Sequence, residues 1–433
     1  MELAVGRTRN MPSSNKSANF ICDPVTWATR LSPRVSGEPQ PKEPLTLQVY
    51  TQLDDFRALE KSLEELMDLY PGASIFSSWD WLVSWWESFH NTQELQVIAG
   101  FDSDSHIVGL AALYISKERF LRIVPLRCLR FIGDGSGDSD NLDFLVRPGF
   151  EIEFASKFLE YLVQLRGQWQ IARLNTVPRE SVIANRLEHL LGGSRWTCFI
   201  ALRECSSIQL PPAWDQYLST LSSEDRKNIQ RYRRRMEDRY SVRVYRCNQE
   251  HDLPRCLSAL FRLHQMRWQK KGECGTFAYP ERRQFYERLS LRLLAKNRLE
   301  LWILELNSQI TAVQFAMRYR DKVYQLQEGY DPGHSADRVG VVLRSEVLRQ
   351  LISEGIRSYD FLGGVDQYKR RWGVTPGNYR DVTFANSWSI GSVVINSVHY
   401  ARALKEWLRL HLPRTLWRCL HGINMILSKN NRF

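Results

Sequence analysis

Apolar residues change period along the chain, and the changes mark out its elements. At 95–116, LQVIAGFDSDSHIVGLAALYIS, and at 299–320, LELWILELNSQITAVQFAMRYR, two apolar runs flank a short polar turn, which predicts a β-hairpin at each place. A segment of helical spacing precedes each hairpin: WDWLVSWWESFH at 79–90 and RRQFYERLSLRLLAKN at 282–297. Residue identity between the copies is low, but the order of elements repeats, so two related α/β halves in tandem are expected. After the first hairpin come the strand candidates RCLRFIG and NLDFLV, a helix near 150–166, the strand WQIARL, a helix near 180–191 and the strand TCFIALRE. This alternation predicts a mixed sheet flanked by helices. The second half opens with helices at 213–221, 224–239 and 253–271, with the strand SVRVYRC between the last two.

The segment 327–373 carries the most chemistry. VYQLQEGY is rich in β formers, DPGHSADR is a charged turn, and VGVVLRSEVLRQLISEG has helical spacing. A short strand at 359–362 and a basic, aromatic tail follow. The loop thus delivers the chain into a helix N-terminus, whose free N–H groups and positive dipole end favour an anion such as phosphate. Arg338 adds a full charge there, and Gly340 lacks the Cβ that would obstruct close approach. The same pattern also describes an ordinary helix cap beside a surface arginine. In the first half the equivalent position reads Arg147-Pro148-Gly149, and proline removes one N–H from the cradle. The anion is therefore expected in the second half.

Composition narrows the partners. With 43% hydrophobic and 12% aromatic residues, the 433-residue chain is globular, and its length allows two or three domains. A net charge of +11 suits a nucleotide, RNA or an acidic membrane surface. The most basic stretch, RKNIQRYRRRMEDR at 226–239, can place Arg231, Arg234 and Arg235 on one helix face. Only Tyr232 and Tyr240 interleave it, too few for base stacking, so nucleic acid is not the expected partner. Eight cysteines without a C-x-x-C pair fit a reducing, cytoplasmic compartment. Asp134, Ser136, Asp138 and Asp140 fail as a calcium loop, because Ser139 and Leu145 stand where Gly and Glu are needed, and no H-E-x-x-H occurs. No metal is expected. Residues 1–44 are rich in Pro, Ser and charge, lack a signal-peptide core and read as a mobile tail. At the other end, 391–433 carries two amphipathic pieces: Leu404, Trp407, Leu408 and Leu412, then Leu416, Leu420, Ile423 and Leu427. Such pieces suit a membrane surface, the body of the protein or a partner subunit.

A set of short motifs resembles one family. Gly-Tyr-Asp-Pro at 329–332, the Gly340 loop, Tyr359-Asp360-Phe361-Leu362, Gly364 and Tyr368-Lys369 with Trp372 look like the C-terminal signature of CelD-type acetyltransferases. These form a branch of the GNAT superfamily linked with cellulose and other exopolysaccharide synthesis, and they are similar to FemAB-type aminoacyltransferases. Upstream, Phe76-Ser77-Ser78-Trp79, Trp85-Trp86, Leu129-Arg130-Phe131-Ile132-Gly133 with Asp140 and Leu142-Asp143, and His264 with Arg267-Trp268 extend the likeness to about 45–390.

The resemblance implies tandem GNAT-like domains at 45–205 and 206–390, each a mixed, largely antiparallel sheet flanked by helices. It also implies acetyl-CoA or another acyl-CoA as cosubstrate, and an amine or hydroxyl acceptor on a sugar, lipid or envelope precursor. Candidate cofactor contacts are Gln314, between Ala312 and Ala316 on one β face, and Arg338, Val339, Gly340, Val341 and Leu343. Asp360 can orient or deprotonate the acceptor, Tyr368 can protonate a leaving thiolate, and Asp366 and Lys369 adjoin the same turn. His264, Arg267 and Trp268 are candidates for the acceptor pocket. Two other readings stay open: an aminoacyl-tRNA-dependent transferase, and a scaffold of an exopolysaccharide complex that retains the fold without catalysis.

Overall fold

The computed structural model describes residues 45–411. Its first half comprises β1 (Thr46–Tyr50), α1 (Leu53–Arg57), α2 (Glu60–Leu69), α3 (Trp79–Phe89), the hairpin β2 (Glu94–Phe101) and β3 (Ile107–Phe120), and β4 (Val124–Phe131). The two-residue β5 (Leu145–Val146), α4 (Glu151–Gln164), β6 (Ile171–Pro178), α5 (Val182–Leu191) and β7 (Trp196–Gln209) follow. The second half begins with α6 (Trp214–Thr220), α7 (Ser223–Glu237), β8 (Val242–Arg246), α8 (Leu253–Gln269) and α9 (Pro280–Ala295). Then come β9 (Leu299–Leu306), β10 (Gln309–Tyr319), β11 (Lys322–Tyr330), α10 (Val339–Ser353), β12 (Ser358–Gly363), α11 (Gln367–Arg370), β13 (Thr375–Asn386) and α12 (Ile390–His411). The expected tail at 1–44, Leu412 and the apolar stripe from Leu416 to Leu427 lie outside the described residues.

Thirteen strands among the described residues form one sheet, ordered β1-β2-β3-β4-β6-β13-β7-β12-β11-β10-β9-β8, with β5 paired to β3 off that path. Read inward from either end, the order repeats. Each half contributes four antiparallel strands and then one parallel neighbour reached through a helix: β4, α4, β6 in the first half and β11, α10, β12 in the second. The final strands are exchanged. β7, first-half by sequence, lies against β12, whereas β13, second-half by sequence, lies against β6. The two exchanged strands pair along their length, from Thr375↔Ser207 to Asn386↔Trp196. The expected boundary between residues 205 and 206 therefore falls inside β7 and does not separate two bodies.

Local chemistry explains the helix ends. Ser78 Oγ accepts the Trp81 N–H at 3.3 Å and starts α3, Ser222 Oγ accepts the Asp225 N–H at 3.0 Å and starts α7, and proline occupies the first turn of α8 and α9. α3 is buried almost all round because it packs against α9. Trp81 stands edge-on between Phe76 and Phe285, with centroids at 4.8 and 5.1 Å, and each such contact contributes about 0.5–1.5 kcal/mol beyond simple burial. Arg298 and Lys296 reach the buried Asp80 at 3.2 and 3.0 Å, so its charge has partners. One core, continuous through both halves, lies beneath α2, α3, α4, α8 and α9. A second holds α6, α7 and α10 on the second half of the sheet.

Candidate functional site

The parallel ladder between β11 and β12 is three residues long: Lys322↔Ser358, Val323↔Tyr359 and Tyr324↔Asp360. Beyond Tyr324, β11 continues to Tyr330 beside β10, while β12 turns away along β7. One edge of β11 is therefore without a strand partner over its last six residues, and the two strands diverge into a cleft there. α10 begins beyond the end of β11. Arg338 sits at its N-terminus in the left-handed region, φ +59°, and its carbonyl accepts the N–H groups of Val341 and Val342 at 2.8 and 3.1 Å. The N–H groups of Val339 and Gly340 thus precede the first intrahelical bonds. A Cβ on Gly340 would make an ordinary contact with the Tyr330 ring, at 3.8 Å, and meet nothing else, so this turn is not closed off by a neighbouring side chain. The Val339 and Leu343 side chains point into the core beneath α10, and Val341 is half-buried. Of the predicted cofactor residues in this turn, only Arg338 offers a charged side chain.

Glu328 of β11 holds the floor of the cleft. Arg344 from α10 pairs with it on one side, Arg267 from α8 reaches it at 2.9 Å, and the Tyr368 hydroxyl donates to it at 3.1 Å. Two helices on opposite faces of the sheet meet at one carboxylate because no strand closes that edge. Burial opposes the Glu328 charge, but the two guanidiniums outweigh it and hold the carboxyl below its usual range. Arg344 also packs on the Phe361, Tyr368 and Trp372 rings, at 4.9, 4.8 and 5.7 Å. Burial pushes the Tyr368 hydroxyl above its ordinary value, so it is a donor at neutral pH. Gln314 is directly opposite Glu328 in the β10–β11 register, and its buried Nε2 has no partner.

His264 and Trp268 pair as their i, i+4 spacing predicts: Trp268 Nε1 donates to His264 Nε2 at 2.9 Å. Burial, with Arg267 adjacent, lowers the imidazole to about 4, so it is neutral, and its Nδ1 is buried without a partner. α8 approaches β11 closely because residue 329 is glycine; a Cβ there would stand 2.5 Å from the His264 backbone nitrogen.

The turn after Asp360 uses most of its predicted chemistry for its own architecture. Asp360 accepts the Leu362 N–H at 2.8 Å and pairs with Lys322 at 2.8 Å. Lys369 donates to the carbonyls of Phe361, Gly363 and Gly364 at 3.0, 2.6 and 3.2 Å, clamping a turn in which Leu362 and Gly364 have φ of +61° and +85°. Asp366 caps α11 through the Lys369 N–H at 2.8 Å and is exposed.

A loop of the first half completes the site. Residues 133–143 reach both strands beyond the end of their ladder. There Asp138 accepts from Arg282, from the Tyr286 hydroxyl at 3.0 Å and from Gln327 of β11 at 3.2 Å. Two residues on, Asp140 accepts the Gly363 N–H of β12 at 2.8 Å. Burial, with Asp360 nearby, raises the Asp140 carboxyl to about 7 against the opposing Gly363 hydrogen bond. Among the predicted candidates, Arg267, Gln314 and Tyr368 thus gather at Glu328, while Asp360 and Lys369 gather at the turn beside Asp140. Glu328, Arg344 and Asp140 were not predicted as site residues. No group of three or more His, Cys, Asp or Glu side chains placed to hold a metal ion occurs among the described residues.

Residues 223–370, from α7 to α11, match the family model described as Acetyltransferase (GNAT) domain. The crystal structure of FemX is similar in fold, with a TM-score of 0.54 at 11% identity over 78% of this chain and 98% of FemX. A conserved protein of unknown function from Bacteroides thetaiotaomicron VPI-5482 gives a TM-score of 0.51 at 13% identity, over 79% of this chain and 99% of its own. No curated protein matches the chain at a significant level. The chain has a tandem GNAT-like fold, and the residues that match the acetyltransferase domain model include β11 and β12 where they diverge.

Proposed function

We propose that the protein transfers an acyl group from an acyl-CoA to an amine or hydroxyl of a sugar, lipid or envelope precursor, an exopolysaccharide precursor being the acceptor its CelD-like motifs favour. One observation carries the reading: the β11–β12 ladder ends at Tyr324↔Asp360, opening a cleft whose mouth is the Arg338 turn of α10. A pyrophosphate suits the N–H groups of Val339 and Gly340, with Arg338 supplying charge. The unpaired edge of β11 suits the amides of an extended pantetheine arm, which pair as a further strand does. The acceptor then attacks the thioester carbonyl between the two carboxylate-bearing walls. Its proton passes to Asp140, the carbon–sulfur bond breaks, and the departing thiolate takes a proton from Tyr368, whose hydroxyl Arg344 and Glu328 orient.

Calorimetry with acetyl-CoA, longer acyl-CoAs and total tRNA tests the reading. Binding of a CoA species is expected, with Arg338→Ala weakening it about tenfold, the scale of one lost phosphate contact. Silence with every CoA species sinks the proposal, and saturable binding of tRNA alone points to aminoacyl transfer instead.

A further inference from the structure

The two sides of α7 meet different surroundings. One side fastens the helix to α10 and to the turn before it: Arg233 reaches Glu346 at 2.8 Å, while Arg235, Arg239 and the Tyr240 hydroxyl converge on Asp337 at 3.9, 3.4 and 3.2 Å. On the other, Lys227, Arg231 and Arg234 follow one another at i, i+4 and i+7 and face solvent. With Gln230, Arg235 and Asp238 they line an open depression of about 300 Å³. Lys227 and Arg234 have no carboxylate partner among the described residues, and Arg231 bonds the neutral Asn228 at 2.7 Å. Arg235 already shares Asp337, so Asp238 is the lone acid of the lining. The depression also connects with the cleft. Arg231 and Arg338 both rest on the Tyr232 ring, at 5.3 and 6.0 Å, so a cationic track runs from the N-terminus of α10 along α7.

We propose that this depression receives the 3′-phosphoadenosine end of the acyl-CoA, an inference that rests on the function proposed above. The ligand class follows from size and charge. About 300 Å³ suits one nucleotide rather than a length of nucleic acid, and a single aromatic ring at its border gives no stacking platform. Three cations outside any ion pair match the 3′-phosphate, while the pyrophosphate keeps to the Arg338 turn at the other end of the track.

Binding of CoA and of 3′-dephospho-CoA to the full chain, with and without the double substitution Lys227→Gln and Arg234→Gln, tests this. Wild type is expected to bind CoA about tenfold more tightly than dephospho-CoA. The double variant is expected to bind both at the dephospho-CoA level, and adenosine 3′,5′-bisphosphate should compete with CoA in wild type only. Equal affinities for the two ligands in wild type overturn the inference while leaving acyl-CoA dependence intact. So does a double variant that keeps the tenfold preference while losing affinity for tRNA, since the depression is then an RNA surface. Absence of binding by either CoA form overturns the acyltransferase reading itself, and this inference with it.

Discussion

The two halves build the same cradle and give it different electrostatics. In each, a three-residue parallel ladder splays beneath a helix: Cys128–Arg130 beside Ile171–Arg173 under α4, and Lys322–Tyr324 beside Ser358–Asp360 under α10. At the first splay two arginines meet two acids. Arg130 pairs with Glu118 at 2.7 Å and with Asp134 at 2.6 Å, Arg173 pairs with Glu118 at 2.7 Å, and Asn175 bonds Asp134 at 3.0 Å. The charges cancel locally. At the second splay two arginines share the single carboxylate of Glu328, and Arg338 adds another cation at the mouth. The helix starts differ as well. α4 carries Glu151 and Glu153 in its first turn, and Glu151 accepts the Gly149 N–H at 2.8 Å, whereas α10 has no acid in its first turn. An acid there stabilises a helix by about 0.3–1 kcal/mol. The first half thus satisfies its own dipole, and the second leaves its dipole without a first-turn acid. A shared topology therefore does not make both clefts sites; the difference lies in which charges the protein has already paired.

The largest expected effect tests whether the first half still serves the second. Asp140→Asn should lower kcat by about 10²–10⁴-fold, the usual contribution of a general base, while CoA affinity stays unchanged. In wild type the rate should rise with pH through about 7 as the carboxyl ionises, and the variant should lose that limb. A fall of less than tenfold places the base elsewhere and makes the 133–143 loop purely structural. The same shift acts on stability. Because the carboxyl is raised above its unfolded value, the folded state holds the extra proton between about pH 4 and 7, so stability falls as pH rises through that window. Asp140→Asn should flatten this slope in a thermal melt.

A smaller effect tests the electrostatic contrast directly. Val341→Glu puts a carboxylate in α10 where Glu153 stands in α4, three residues into the helix. The dipole gain of a few tenths of a kcal/mol should offset part of the packing lost with the half-buried Val341 side chain, while repulsion of the incoming phosphates should weaken CoA binding about tenfold. Unchanged affinity in calorimetry would mean that the phosphates lie away from this turn.

Local periodicity made much of this molecule legible. Both hairpins, the helices before them and the strand, loop and helix of 322–353 appear where the apolar spacing puts them. The exchange of β7 and β13 was hidden, because the register Thr375↔Ser207 joins residues far apart in sequence and nothing local encodes it. NLDFLV read as a strand and became only Leu145–Val146, since the residues before it are drawn across to Gln327 and Gly363. In the site, Asp360, Asp366 and Lys369 read as chemistry because they are charged and adjacent. Three dimensions show them holding a turn. The signals for Glu328 and Arg344 are a glutamate in a β-rich run and a single arginine in VGVVLRSEVL, charges that need a buried partner at such positions.

The smallest functional effect belongs to the first splay. Glu118→Gln removes the acid that Arg130 and Arg173 share, and it should leave CoA affinity and turnover unchanged if that cleft holds no substrate. Its cost should appear in folding, about 1 kcal/mol near neutral pH by denaturant titration. Burial disfavours the Glu118 charge, yet the two arginines outweigh burial and hold its carboxyl below the usual value. A depressed carboxyl contributes stability that is present above its unfolded value and is lost as pH falls through the folded one. The penalty of the variant should therefore shrink in acid. A variant that folds as well as wild type but binds CoA less tightly would show that the first cleft also takes part in binding, and the division of labour between the two halves would then fail.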